Sequence, residues 1–458
     1  MLFHTPEFFV FFLVVLFGVA MLEGSLRNLF LLASSCYFYA QWDFRFLALI
    51  GFITVLDFTA GLLIEKYPDW KKVLLAASVC SNLGILGFFK YYHFFVDAFA
   101  EAIGGQPSHL DILLPVGISF YTFESLSYTI DVYRGQLRAQ RSIIDYALFI
   151  SFFPHLVAGP IIRPRVFFDQ SRRRSRLTAA VFHSAFVLFA TGLFKKMVLA
   201  DNLAVLVDPV FDRPEAYSSL DNLIAVYAFA FQIYFDFSGY TDMAIALAQL
   251  LGFNLPENFR FPYSSTSLRE FWRRWHISLS SWLRDYLYIS LGGNRLGRFR
   301  EYVNLLLTML LGGLWHGANV TFLLWGGLHG AYLVVERLVR GGEPTPRGLV
   351  RHVVWAAFTF HLVCFAWIFF RAPNVSTAVV VVRQILSGIV TVEPTWIFGM
   401  LLLCVALWAS DLLCARTGII DTLRANASLS ATVYVAILLF CVVIFAPTHR
   451  RAFIYFQF

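Results

Sequence analysis

Two histidines stand where their type and setting suggest chemistry. His316 lies within Gly312-Gly313-Leu314-Trp315-His316-Gly317-Ala318-Asn319, in the middle of an apolar run. An ionisable side chain inside such a run is costly and marks function by default; the alternative is a histidine satisfied by a neighbouring helix. His276, forty residues earlier, lies within Arg269-Glu270-Phe271-Trp272-Arg273-Arg274-Trp275-His276-Ile277-Ser278-Leu279-Ser280. If that stretch is one helix, Trp272, His276 and Ser280 share a face and Glu270 pairs with Arg274. Trp275, Leu279 and Trp282 then mark another face. An amphipathic interfacial helix accounts for the arginines and tryptophans, but not for the histidine. Two such histidines suit general-base chemistry, in which a neutral imidazole takes a proton from a hydroxyl as it attacks an activated carbonyl. A low-dielectric cavity favours the neutral imidazole and shields a thioester from water.

Other candidates are weaker. Asp236 and Asp242 flank Phe237-Ser238-Gly239-Tyr240-Thr241 in a long apolar run, and either lines a polar cavity or marks a helix break near an interface. His155 sits in Pro154-His155-Leu156-Val157-Ala158-Gly159-Pro160 and could face the same cavity. His329, thirteen residues after His316, reads as packing, and the arginine-rich stretch 163–176 as a topology signal that would also attract an anionic donor. The chain has no GxxxxGK[ST], GxSxG or HExxH, and no GxGxxG ahead of a strand. Its histidines lack metal-ligand spacing, so no metal site is expected. Its six cysteines form no CxxC pair and read as small buried hydrophobes.

The elements that must position these residues follow from composition. The chain has 458 residues, 59% hydrophobic and 14% charged, with 50 phenylalanines, and its mean hydropathy is +0.67. No soluble fold buries that fraction. At about 20 residues per span, the apolar content supplies roughly eleven to thirteen membrane helices. The runs are continuous rather than alternating, which excludes a transmembrane barrel. The expectation is an all-α polytopic membrane protein forming one integral domain over 1–458, with the N-terminal apolar run as a retained first span. The net charge of +7 reflects basic cytoplasmic loops rather than nucleic-acid binding.

Loops near 65–72, 134–141, 163–176, 269–300 and 337–351 are basic and expected inside; loops 93–111 and 201–221 are acidic and expected outside. Two segments then enter and leave on the same side. Segment 144–162, with its mid-run prolines and glycine, reads as a re-entrant element buried in protein. Segment 302–336 reads as a hairpin with its tip at 312–319. An arm of about 13 residues spans only about 20 Å, so His316 is expected at membrane depth.

Several of these stretches resemble signatures of one family. Gln232-Ile233-Tyr234-Phe235-Asp236-Phe237-Ser238-Gly239-Tyr240-Thr241-Asp242, the 271–280 stretch with its continuation Trp282-Leu283-Arg284-Asp285-Tyr286-Leu287-Tyr288 and Gly292-Gly293-Asn294-Arg295, and Gly312–Ala318 resemble motifs of the membrane-bound O-acyltransferase (MBOAT) superfamily. Pro115–Tyr121 and Pro154–Pro160 fit as well. The resemblance covers nearly the whole chain and is nearest to the bacterial alginate O-acetyltransferase, AlgI-like branch. It implies membrane helices with re-entrant and interfacial helices around a central funnel, with His316 as catalytic histidine and His276 as the second. Trp315, Asn319, Asp236, Asp242, His155, Arg273 and Ser280 are the candidates to line the funnel. The ending Phe453-Ile454-Tyr455-Phe456-Gln457-Phe458 resembles the FxYF ending of a small protein of teichoic acid D-alanylation, which makes Tyr455 an acyl-relay candidate; the alternative is an aromatic membrane anchor.

The resemblance implies an inner-membrane, multi-pass O-acyltransferase with no bound cofactor. It would take an acyl group, expected to be acetyl, from a cytoplasmic thioester such as acetyl-CoA, for O-acetylation of an exported or cell-wall polysaccharide through a periplasmic acyltransferase partner. Membrane lipid surrounds it, and nucleic acid is not a partner. Alternatives are D-alanyl transfer, acyl transfer to lipid or protein, and, outside enzymes, a secondary transporter. The absence of an internal repeat argues against the last.

Overall fold

The computed structural model describes residues 1–106, 110–157, 159–173, 177–340, 348–388, 394–447, 451 and 453–454. These residues contain helices and no strand. In chain order the helices are α1 (Pro6–Met21), α2 (Gly24–Asp43), α3 (Phe46–Lys66), α4 (Lys71–Leu86), α5 (Tyr92–Ile103), α6 (Ile118–Tyr133), α7 (Ile143–Ser151), α8 (Phe153–Leu156), α9 (Pro164–Ser171), α10 (Ala179–Phe194), α11 (Asp201–Asp212) and α12 (Ser219–Leu250). Then follow α13 (Leu268–Arg274), α14 (Ile277–Trp282), α15 (Arg298–His316), α16 (Val320–Arg340), α17 (Leu349–Arg371), α18 (Val375–Ser387), α19 (Pro394–Thr417), α20 (Ile419–Ala425) and α21 (Leu429–Phe445). Several starts are fixed by side-chain caps: Thr5, Ser142, Asn374 and Ser428 each accept a first-turn backbone N–H.

Six helical stretches among the described residues are long and apolar enough to cross a membrane, seven if the bent pair α20–α21 is one span. The apolar helices α1, α7–α8 and α18 are shorter. The chain is thus an all-α polytopic membrane protein.

The described residues form two compact units, Met1–Phe189 with Thr241–Pro256, and Ala190–Tyr240 with Glu257–Phe458. In the first, α3, α4, α6 and α7 gather around the buried Asp57. One of its oxygens takes the Ser78 hydroxyl at 2.5 Å; the other takes the Asn82 amide at 2.7 Å and the Ser125 hydroxyl. Apolar surroundings offer these groups no water, so satisfying them inside holds the helices together. Segment 144–162 resolves into α7 and α8, nine and four residues, broken at Phe152 and too short to span. Phe149, Ile150, Ser151 and Phe152–Val157 are buried, as a re-entrant element requires.

In the second unit, α15 and α16 form the expected hairpin, and glycines set its spacing. A Cβ on Gly313 would fall onto the Phe322 carbonyl, and one on Gly326 onto the Met309 carbonyl. Small residues on facing helices permit this backbone approach. The hairpin differs from expectation in its first arm. α15 begins at Arg298 and has 19 residues, about 28 Å long, rather than 13. Its first turn is charged and hidden from a hydropathy reading; there Glu301 is neutralised by Arg337 at 2.5 Å. A helix of that length can cross most of the hydrocarbon core, so the short arm that placed His316 at membrane depth is not there; His316 ends the helix buried in protein. A second difference concerns Asp236 and Asp242: α12 runs unbroken past both, so neither marks a helix break.

Candidate active site

His276 occupies a bend. The expected single helix over 269–280 divides into α13 and α14, and His276 joins them in a left-handed conformation, φ 42° and ψ 55°. Non-glycine residues adopt that region at a cost, and do so where surroundings impose it. Here the preceding loop imposes it. Arg260 N–H donates to the Arg274 carbonyl at 2.9 Å, and Ile277 N–H to the Asn258 carbonyl at 2.9 Å. The bend overturns the expectation that Trp272, His276 and Ser280 share a face. The Glu270–Arg274 pair forms at 2.8 Å, because both residues lie on α13 before the bend.

The bend turns the His276 ring wholly inward, where Nδ1 lies 3.1 Å from Asn258 Oδ1. That oxygen also accepts the Ser278 backbone N–H at 3.2 Å and the Ser278 hydroxyl at 2.8 Å. A backbone N–H can only donate, so the Asn258 atom is the carbonyl oxygen and His276 must donate from Nδ1. Nε2 then carries the lone pair, and among the described residues it has no hydrogen-bond partner. Burial lowers the His276 pKa to about 3, so the ring is neutral near pH 7.

Three rings surround this imidazole: Phe237 at 4.7 Å, Phe259 at 6.2 Å and Trp315 at 6.1 Å. Trp315 is the junction, since its ring is also 5.0 Å from that of His316. His316, at the C-terminal end of α15, is 3% exposed and meets Trp325 at 5.0 Å and Phe370 at 5.3 Å. Gly317 lets the chain turn tightly there; a Cβ on it would collide with the Phe322 ring. The two histidines thus sit on one tryptophan inside an aromatic enclosure, where a base and a hydroxyl would meet little competing water.

The other expected lining residues fare differently. Asn319 is half-buried and braces the hairpin turn: its amide donates to the Pro373 carbonyl at 2.8 Å and its oxygen accepts Thr321 N–H at 3.0 Å. Ser280 donates to the Trp275 carbonyl at 3.2 Å and so serves the bend. Arg273 is exposed on α13. Asp236 lines a polar cleft with Lys196, Asp201, Asp208, Arg371 and Arg451, and one of its oxygens lies 2.7 Å from the Lys196 ammonium. Asp242 is half-buried in the part of α12 that belongs to the first unit. His155 also belongs to the first unit, with Nδ1 2.8 Å from the Glu124 carboxylate. His329 is packed on Phe271, Trp272 and Trp325. Tyr455 lies outside the described residues.

Two residues escaped the sequence reading. Asn258 carries no pattern of its own, eighteen residues before the histidine it orients. Lys196 could have been found, because a lysine within the apolar run 177–200 is itself a signal.

Comparison with known proteins identifies the family. Residues 135–372 match the membrane-bound O-acyltransferase family. The chain is 47% identical over 388 residues to a probable alginate O-acetylase AlgI of Pseudomonas putida, covering 82% of this chain and 79% of that one. It is 36% identical over 417 residues to a peptidoglycan O-acetyltransferase of Helicobacter pylori, covering 84% and 79%. It is 27% identical over 285 residues to a teichoic acid D-alanyltransferase of Bacillus subtilis, covering 58% and 71%.

Proposed function

The chain belongs to the membrane-bound O-acyltransferase family and is an O-acyltransferase, and from that premise we propose that it moves acetyl groups from a cytoplasmic thioester, such as acetyl-CoA, towards an exported polysaccharide. The similarity to alginate and peptidoglycan O-acetyltransferases supports a polysaccharide as final acceptor. The observation that carries the mechanism is the pair of buried histidines meeting on Trp315, one with its tautomer fixed by Asn258.

In this reading His316 is the base. It takes the acceptor hydroxyl's proton as that oxygen attacks the thioester carbonyl carbon. The carbon–sulfur bond then breaks, and the imidazolium returns the proton to the departing thiolate. His276 offers its Nε2 lone pair as an acceptor, orienting the hydroxyl from the other side of Trp315. The first acceptor is the Tyr455 phenol. A periplasmic acyltransferase partner then passes the acetyl group to a sugar hydroxyl and regenerates the phenol, with the chain in the inner membrane.

The test is to offer radiolabelled acetyl-CoA to the purified protein in proteoliposomes. The expected result is release of free thiol and covalent label on the C-terminal peptide, lost in Tyr455→Phe. A secondary transporter would give neither. Label on the protein with D-alanyl thioester but not acetyl-CoA would replace the acetyl reading.

A further inference from the structure

The last described residues are held at two points inside the second unit. Arg451 is ion-paired with Asp208 of α11, and the same carboxylate takes the Arg371 guanidinium, at the end of α17, at 2.9 Å. Three residues on, the Ile454 backbone N–H donates to Asp236 of α12 at 2.7 Å. The second oxygen of Asp236 faces Lys196 at 2.7 Å, and that ammonium, 1% exposed on its side chain, also faces Asp201 at 2.7 Å. Between the two points Phe453 is fully buried, with its ring 4.8 Å from Tyr240 and 5.4 Å from Phe237. Phe237 is the ring that meets His276 edge-on.

The charges of this cleft balance with Arg451 in place. The cleft gathers three acids, Asp201, Asp208 and Asp236, and three bases, Lys196, Arg371 and Arg451. Without Arg451 the same cleft holds one more acid than base, and a buried or half-buried excess charge is costly. The Asp236 oxygen that accepts Ile454 N–H would also lose its donor. Two anchors three residues apart hold Arg451 and Ile454 in place.

We propose that Asp208 and Asp236 are positioning residues for acyl transfer, which fix the C-terminal segment through Arg451 and the Ile454 N–H so that it approaches the reaction beside Phe237 and His276. The activity part of this proposal rests on Tyr455 being the first acceptor; the anchoring part does not. Lys196 acts one step further back, holding the Asp236 carboxylate in place between itself and the tail.

The experiment uses the full chain, purified in detergent, with Arg451→Ala, Arg451→Lys, Asp208→Asn and Tyr455→Phe. Each variant is treated with carboxypeptidase, and initial rates of acetyl transfer from acetyl-CoA are measured. Wild type, Arg451→Lys and Tyr455→Phe are expected to resist trimming, whereas Arg451→Ala and Asp208→Asn lose C-terminal residues at least tenfold faster. Transfer by Arg451→Ala is expected to fall at least tenfold in kcat, with KM for acetyl-CoA within twofold of wild type, and Arg451→Lys to restore most of it. A merely structural contact would instead lower the amount of folded enzyme and leave its kcat intact. An Arg451→Ala protein as resistant and as active as wild type overturns the anchor. One that is trimmed quickly yet keeps full kcat overturns the positioning role. Full activity in Tyr455→Phe would sink the relay reading, while the trimming contrast would still support the anchor.

Discussion

His155 in the first unit and His276 in the second are equally buried, at 1% and 0% exposure, and both stand in motifs rich in aromatic residues. Their partners differ. His155 faces the Glu124 carboxylate at 2.8 Å, and that same carboxylate takes the Ile162 N–H at 3.2 Å. The pair ties the broken α7–α8 element and the chain after it to α6, in the manner of a structural pin. His276 faces a neutral amide oxygen that three donors share, which fixes its tautomer; the Nε2 atoms of both rings have no hydrogen-bond partner among the described residues, so the difference lies on Nδ1. His276 also has a second histidine one tryptophan away, and His155 does not have one among its described contacts. Burial of a histidine in a membrane protein therefore says little by itself; what separates these two is the partner on Nδ1 and the second histidine beside His276.

The comparison predicts opposite phenotypes. His316→Ala should reduce acetyl transfer by about 10²–10⁴-fold, the range of a lost general base, with the folded yield unchanged. Retained activity would end the comparison at once. His155→Ala should act on stability instead. It removes one of the two hydrogen-bond partners of the buried Glu124 carboxyl and leaves the Ile162 N–H, and losing a buried partner typically costs about 1–3 kcal/mol. Thermal unfolding in detergent should shift down clearly, while activity per folded molecule stays within twofold; an equal loss of kcat would place His155 in the chemistry.

Asn258→Ala sharpens the contrast from the other side. With Nδ1 released, His276 can adopt the wrong tautomer, and kcat should fall about tenfold, or about 1.4 kcal/mol of barrier. KM for acetyl-CoA should hold steady; a KM effect alone would make Asn258 a binding residue. The smallest effect concerns acid. The His276 pKa is lowered to about 3 in the fold, against 6.5 when unfolded. Between these values the unfolded chain binds the proton that the fold refuses, so this residue's contribution falls as pH drops below 6.5. His276→Gln should lose less thermal stability than wild type between pH 7 and pH 4.5. An identical pH slope would contradict a neutral buried ring.

Much of this arrangement was legible in the sequence. The α15–α16 hairpin and its tip could be read because glycines and an ionisable residue interrupt an otherwise apolar run. The broken element in segment 144–162 announced itself through its prolines. The Glu270–Arg274 pair followed from spacing alone. The left-handed bend at His276 did not, since a histidine carries no mark of positive φ and the 258–260 loop that imposes it is distant in sequence. Asn258 stayed hidden for the same reason. The first turn of α15 was missed because Arg298, Arg300 and Glu301 look like a loop until Arg337 is seen to pair with the last of them. The anchor on the tail depends on acids from α11 and α12 meeting residues more than two hundred positions later, and no local pattern encodes that meeting.

The most direct test of the account is thiol release from acetyl-CoA by the purified protein in proteoliposomes, compared among wild type, His316→Ala and His155→Ala at equal amounts of folded protein. His316→Ala is expected to drop to background while His155→Ala stays within twofold of wild type. Near-normal thiol release by His316→Ala, or a loss in His155→Ala as deep as that in His316→Ala, would contradict it.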